Sequence, residues 1–156
     1  MENRWSEDKA AQFIEKFGAD WGRDLAIRLY TSYLIGSEVN LVLHGGGNAS
    51  VKTLHTDLWG NPVEAIYVKA SGYDMASIAP GSYTGLDLAY LKKLRSVPGL
   101  TDEEMAAEFR SHLLGPNTGV PSIETLLHAF IPGKFADHTH PDAILAISNQ
   151  AGGQER

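Results

Sequence analysis

Residues 49–72, ASVKTLHTDLWGNPVEAIYVKASG, decide the fold. The turn Gly60-Asn61-Pro62 separates two runs, Ala49–Leu54 and Ala65–Lys69, and the pattern predicts a β-hairpin. The second run ends at Ala70-Ser71-Gly72. Working outward, Gly45-Gly46-Gly47-Asn48 leads into the first run, and a short strand is expected before it at Asn40–Leu43. Far downstream, Ala143-Ile144-Leu145-Ala146-Ile147 reads as a buried strand following His138 and His140.

Helices are expected around these strands. Ser6, followed by Glu7 and Asp8, has the pattern of an N-cap with acids in the first turn, for a helix to about Phe17 that stops near Gly18. Asp24–Ile35 carries a broad apolar face through Leu25, Ile27, Leu29, Tyr30, Tyr33 and Leu34. Thr84 with Asp87 is capping-like for a helix to about Val97, which Pro98-Gly99 breaks. Thr101 with Glu104 forms a capping box. Residues 115–121 read as an irregular loop. Ser122 is expected to cap a helix through Phe130, with Glu124 in its first turn. The sum is a mixed α/β domain with a sheet flanked by helices, one domain across residues 1–156.

Composition narrows the function classes. The 156 residues are 43% hydrophobic and 21% charged, which fits a packed core rather than disorder. Lys plus Arg is 13 against 19 for Asp plus Glu, a formal charge of −6 that argues against nucleic-acid or anionic-membrane surfaces. There are no cysteines, so disulfides, thiolate metal sites and cysteine nucleophiles are excluded. Any transition metal must be held by imidazole and carboxylate. With no signal core and no membrane-length apolar run, a soluble cytoplasmic protein is expected.

Four constellations can carry chemistry, and each has a plain structural reading beside the functional one. His138 and His140, at i and i+2 on a strand, would share one face and converge on one ion, or would be two polar residues at a strand edge. Gly45-Gly46-Gly47-Asn48-Ala49-Ser50 can place backbone amides around an anion, or can be a tight glycine-rich connection. Ser71-Gly72 is an anion-binding strand end or a turn. Ser122 is a phosphate donor or a helix cap, and Glu124 a general base or a solvated first-turn acid. His128, one turn after Glu124, is read as packing. His44, His55 and His112 are read as structural.

In this order, the motifs His44-Gly45-Gly46-Gly47-Asn48-Ala49-Ser50, Ala70-Ser71-Gly72, Pro121-Ser122-Ile123-Glu124 and His138-Thr139-His140-Pro141 resemble the class II aldolase/adducin family. The resemblance spans roughly residues 24–156. It is closest to the aldolase part of bifunctional rhamnulose-1-phosphate aldolase/short-chain alcohol dehydrogenase proteins. It implies an α/β sandwich with a largely antiparallel central sheet flanked by helices. It further implies a metal-dependent sugar-phosphate aldolase, giving dihydroxyacetone phosphate and lactaldehyde from rhamnulose 1-phosphate. Gly47, Asn48, Ser71, Gly72 and Ser122 would bind phosphate, Glu124 would be the catalytic acid/base, and His138 and His140 would hold a divalent metal, most simply zinc.

The chain departs from the family pattern twice. Ile123 stands where many members have a second serine. The family's third histidine ligand lies well downstream of the pair, and no histidine follows His140. An incomplete domain lacking its C-terminal part is therefore expected, either as a fragment or as a truncated and inactive product, with Glu124 or water as the less favoured replacement ligand. The resemblance leaves open a non-catalytic adducin-like module and a sugar-phosphate epimerase, and it implies a homo-oligomer.

Overall fold

The computed structural model describes residues 2–115 and 119–153. The expected hairpin forms: β1 (Asn48–Thr56) pairs antiparallel with β2 (Pro62–Lys69), Ser50 opposite Val68 and Thr56 opposite Pro62. The Asp57 carboxylate closes the turn by accepting from the amides of Trp59 and Asn61. β3 (Tyr83–Asp87) joins the other edge of β2, and β4 (Phe135–His138) joins the other edge of β1. The sheet order is β3-β2-β1-β4, antiparallel throughout.

Side chains alternate between the two faces of a strand, and both faces here are covered. On one face, α1 (Glu7–Trp21) and α2 (Arg23–Gly36) bring Phe13, Phe17, Leu25 and Leu29 onto Val51, Tyr67 and Tyr83. On the other, α3 (Leu88–Lys93), α4 (Asp102–Ser111) and α5 (Thr125–Phe130) pack Leu91, Phe109 and Ala129 on Ile66, Val68 and Leu86. This is the α/β sandwich with an antiparallel sheet. The capping box on α4 is present, with reciprocal Thr101–Glu104 bonds. No described helix is long and apolar enough to cross a membrane.

Several expectations are corrected. Asn40–Leu43 is a turn, because Glu38 satisfies the backbone locally: its carbonyl accepts from Leu41 and Val42, and its carboxylate from Asn40. Thr84 lies inside β3, and Asp87 caps α3 instead, accepting from the Tyr90 amide. α1 continues past Gly18, since one glycine weakens a helix without ending it, and breaks at Gly22, whose φ is +80°. The Ser122 hydroxyl accepts from the Glu124 amide in the turn before α5, which starts at Thr125. Ala143–Ile147 is no strand: it lies in α6 (Asp142–Ser148), with Ile144 and Ile147 59% and 47% exposed. A five-residue apolar run does not by its periodicity distinguish strand from short helix. Of the loop at 115–121, residues 116–118 lie outside the described residues.

The glycine run turns the chain into β1. Gly47 has φ +69°, and a Cβ there would stand 2.6 Å from Val42 Cγ1 and 2.7 Å from the His138 carbonyl oxygen. Gly60, with φ +85°, has nothing within 4 Å of such a Cβ. Gly47→Ala should therefore cost both backbone strain and a clash, roughly 2–4 kcal/mol, and Gly60→Ala the strain alone, about 1–2 kcal/mol. Urea denaturation of both variants checks this, and equal losses would contradict the steric term.

Candidate functional site

The site grows from the register of β4 on β1, in which Asn48 faces His138 across the ladder and Ser50 faces Ala136. By alternation Asn48, Ser50, Ala136 and His138 share the face on which α5 packs. Asn48 is buried, and its Nδ2 donates to Ser122 Oγ at 2.9 Å. Ser122 Oγ also accepts from the Glu124 amide at 3.2 Å. With both lone pairs engaged, the hydroxyl proton is the group Ser122 has left to offer a ligand.

Glu124 and the two histidines form one cluster. Glu124 Oε1 lies 3.1 Å from His138 Nδ1, and His138 Nε2 lies 3.2 Å from His140 Nε2. One donor atom from each residue falls within a 4.8 Å span. Two nitrogens each about 2.0–2.1 Å from a tetrahedral zinc ion would stand about 3.3 Å apart, so the imidazole spacing fits one ion. Glu124 lies on the Nδ1 side of His138 as a close contact outside hydrogen-bond geometry, and Nε2 faces His140, the side on which a metal ligand's lone pair is needed. Burial opposes ionisation of Glu124. The Asn48 amide and His138 outweigh it and hold the carboxyl below its ordinary value.

The glycine run borders the histidines. A Cβ on Gly46 would be 3.4 Å from His140 Nδ1, and one on Gly45 would be 3.5 Å from the Gly72 carbonyl oxygen. The Ser71-Gly72 turn thus lies against the glycine loop, with Ser71 exposed and its amide donating to the Val120 carbonyl at 3.0 Å. Ile123 is 74% exposed and offers no polar side chain.

Two buried cations escaped the sequence reading. Lys69 donates from Nζ to the carbonyls of Gly45 at 3.3 Å and Tyr73 at 2.8 Å, tying the glycine loop to the turn after β2. Burial lowers its ammonium pKa, partly offset by Glu124 and Asp74. Arg28 is fully buried under β1 and β4. The signal for each was a basic residue within an apolar face, Lys69 after Val68 and Arg28 beside Leu29.

Two other histidines hold structure together. His55 bonds the Tyr67 hydroxyl at 3.0 Å, and His112 stacks on Tyr90. A cavity of about 610 Å³ between Trp21, Thr53, His55 and Tyr67 lies toward the far end of β1 and includes none of the candidate residues.

Comparison with known proteins places this geometry. Residues 29–156 match the model of the class II aldolase and adducin N-terminal domain. The chain is 38% identical over 152 residues to the uncharacterized oxidoreductase YuxG of Bacillus subtilis, covering 97% of this chain and 21% of that protein. It is 39% identical to the solved N-terminal class II aldolase domain of a conserved protein from Thermoplasma acidophilum, with a TM-score of 0.79, covering 96% of this chain and 65% of that one. The chain thus spans about a fifth of the curated relative and less than two thirds of the solved one.

His128 yields a pH prediction. It is 1% exposed, with Nδ1 2.8 Å from Ser50 Oγ, and burial pushes its pKa down to about 4 against the opposing pull of Glu124. Above about pH 6.5 the ring is neutral in both the folded and unfolded chain. As pH falls from there toward 4, only the unfolded chain takes up the proton, so stability drops, by up to about 3 kcal/mol in all. Urea midpoints between pH 7 and 4 should fall less steeply for His128→Gln. An NMR titration placing the ring near 6.5 would contradict the prediction.

Proposed function

The chain belongs to the class II aldolase and adducin family, and we propose that its His138 and His140 hold the divalent metal of a sugar-phosphate aldolase, with Glu124 beside them as the acid/base. The observation that carries this reading is the 3.2 Å approach of the two imidazole Nε2 atoms with Glu124 beside them. Zinc is the ion proposed, since neutral imidazoles suit it and no thiolate is available. When bound, such an ion polarises the hydroxyl and carbonyl oxygens of a ketose as a Lewis acid.

The protein's own groups supply the rest. Gly47, Asn48, Ser71, Gly72 and Ser122 are assigned to the substrate phosphate, with the Ser122 hydroxyl as donor and Lys69 as the nearby positive charge. Holding the remote phosphate orients the reacting carbons. In cleavage, the hydroxyl beside the breaking carbon–carbon bond loses its proton as the aldehyde forms, and Glu124, ionised at the outset, is the group placed to take that proton and return it to the carbon freed from the bond. In the reverse direction Glu124 removes that proton. Its lowered pKa keeps it ionised and ready as the base. The substrate proposed is rhamnulose 1-phosphate, giving dihydroxyacetone phosphate and lactaldehyde. Retention of the whole Asn48–Ser122–Glu124–His138 chain of contacts favours a chemical role over an adducin-like interaction module.

Titration calorimetry with zinc should show binding that weakens at least about tenfold in His138→Ala. Equal affinity of wild type and variant would sink the ligand assignment. Incubation with rhamnulose 1-phosphate and zinc should release lactaldehyde, and Glu124→Gln should abolish release while zinc still binds.

A further inference from the structure

Arg28 comes from α2, on the face of the sheet opposite the candidate metal centre, and besides the Tyr83 hydroxyl on β3 it reaches groups of β1 and β4. Its side chain is 1% exposed. Nε donates to Ser32 Oγ at 3.1 Å, and Nη1 stands 3.5 Å from the carbonyls of both Ser50 and Ala136. Nη2 pairs with Asp137 Oδ1 at 2.5 Å. The guanidinium also lies over the Phe135 ring, 5.8 Å from its centroid. One planar fork thus reaches the central strand, the edge strand and the residue immediately before His138.

We infer that Arg28, acting through Asp137, is a positioning residue for the metal ligand His138; the inference rests on the metal reading given above. Neighbouring residues on a strand point to opposite faces, so Asp137 pointing back to Arg28 sets His138 pointing forward. β4 has four residues and pairs with β1 across the register Asn48–Val51. Such a short strand leaves the orientation of its last residue weakly determined. His138 is gripped in front by Glu124, 3.1 Å from Nδ1, and from behind by the strand that Arg28 clamps. His140 is tied separately, its amide donating to the Leu41 carbonyl at 2.8 Å.

Stability alone does not account for the pair. The Asp137 side chain is 41% exposed and would be solvated without a partner. Burying a guanidinium is costly, and a well-packed apolar residue often serves a core better. What the pair adds is direction: the rigid guanidinium, held at Nε by Ser32 and with Nη2 against Asp137, sets where that carboxylate lies, whereas a lysine ammonium would act only as a point charge.

The test uses the full chain with zinc calorimetry and the visible spectrum of the cobalt(II) adduct, folding being checked by circular dichroism. Asp137→Asn removes the ion pair, and Arg28→Lys keeps the charge but loses the fork. Each should weaken zinc binding roughly tenfold to a hundredfold and alter the cobalt bands. The double variant should lose no more than the worse single one, because both act through one contact. Asp137→Glu should recover part of the loss. A folded Asp137→Asn or Arg28→Lys protein with wild-type zinc affinity and an unchanged cobalt spectrum overturns the inference while leaving the metal reading intact. Wild type that binds neither ion refutes the metal reading and this inference with it. If one variant fails to fold, the other decides; if both fail, the pair is a folding element and the positioning role is overturned.

Discussion

The register of β4 on β1 is the constraint on which the rest of the site depends. Asn48 opposite His138 brings the end of the glycine loop to the start of the histidine motif, although 90 residues of chain separate them. A slip of one residue would send every side chain of β4 to the other face. His138 would then point at α2, and Asp137 would point at Glu124. Gly47 helps exclude that slip, because its missing Cβ admits the His138 carbonyl at close range. The ladder, the glycine and the buried Arg28 contacts agree on one alignment.

Around that alignment lie several of the molecule's buried polar side chains. Asn48, Ser50, Lys69, Ser122, Thr125 and His128 are all withdrawn from water near one end of the sheet. Burying such groups is unfavourable unless they are paired. Asn48 meets Ser122, Ser50 meets His128, Lys69 meets two carbonyls and Thr125 meets the Ser122 carbonyl. The opposite end of the sheet closes with an exposed turn carrying Leu58 and Trp59. These pairings surround the candidate histidines, while buried His128 Nε2 and His138 Nδ1 have no hydrogen-bond partner among the described residues.

Much of this was legible residue by residue. The hairpin was readable because β-branched runs flank a Gly-Asn-Pro turn, and α2 because its apolar residues recur at helical spacing. The histidine pair was readable as a ligand candidate from i, i+2 spacing alone, though only the family's other motifs raised it above a strand-edge reading. Lys69 and Arg28 were missed because a basic residue in an apolar run is usually read as snorkelling to the surface. Their carbonyl and carboxylate partners come from distant segments. Ala143–Ile147 was misread because five apolar residues in a row suit a buried strand, and nothing local announces that no strand is beside them.

The sequence by itself determined the local elements and the chemical inventory: a hairpin, capped helices, imidazole and carboxylate donors without thiols, and glycines where the chain must turn tightly. These follow from backbone sterics and side-chain chemistry, which act over a few residues. Only the tertiary structure decided which donors meet. It placed Glu124 beside His138, seated Asn48 on Ser122, and brought Arg28 under Asp137. Those pairings depend on how four strands align and on which face each helix covers, and that is settled by packing between segments far apart in the chain.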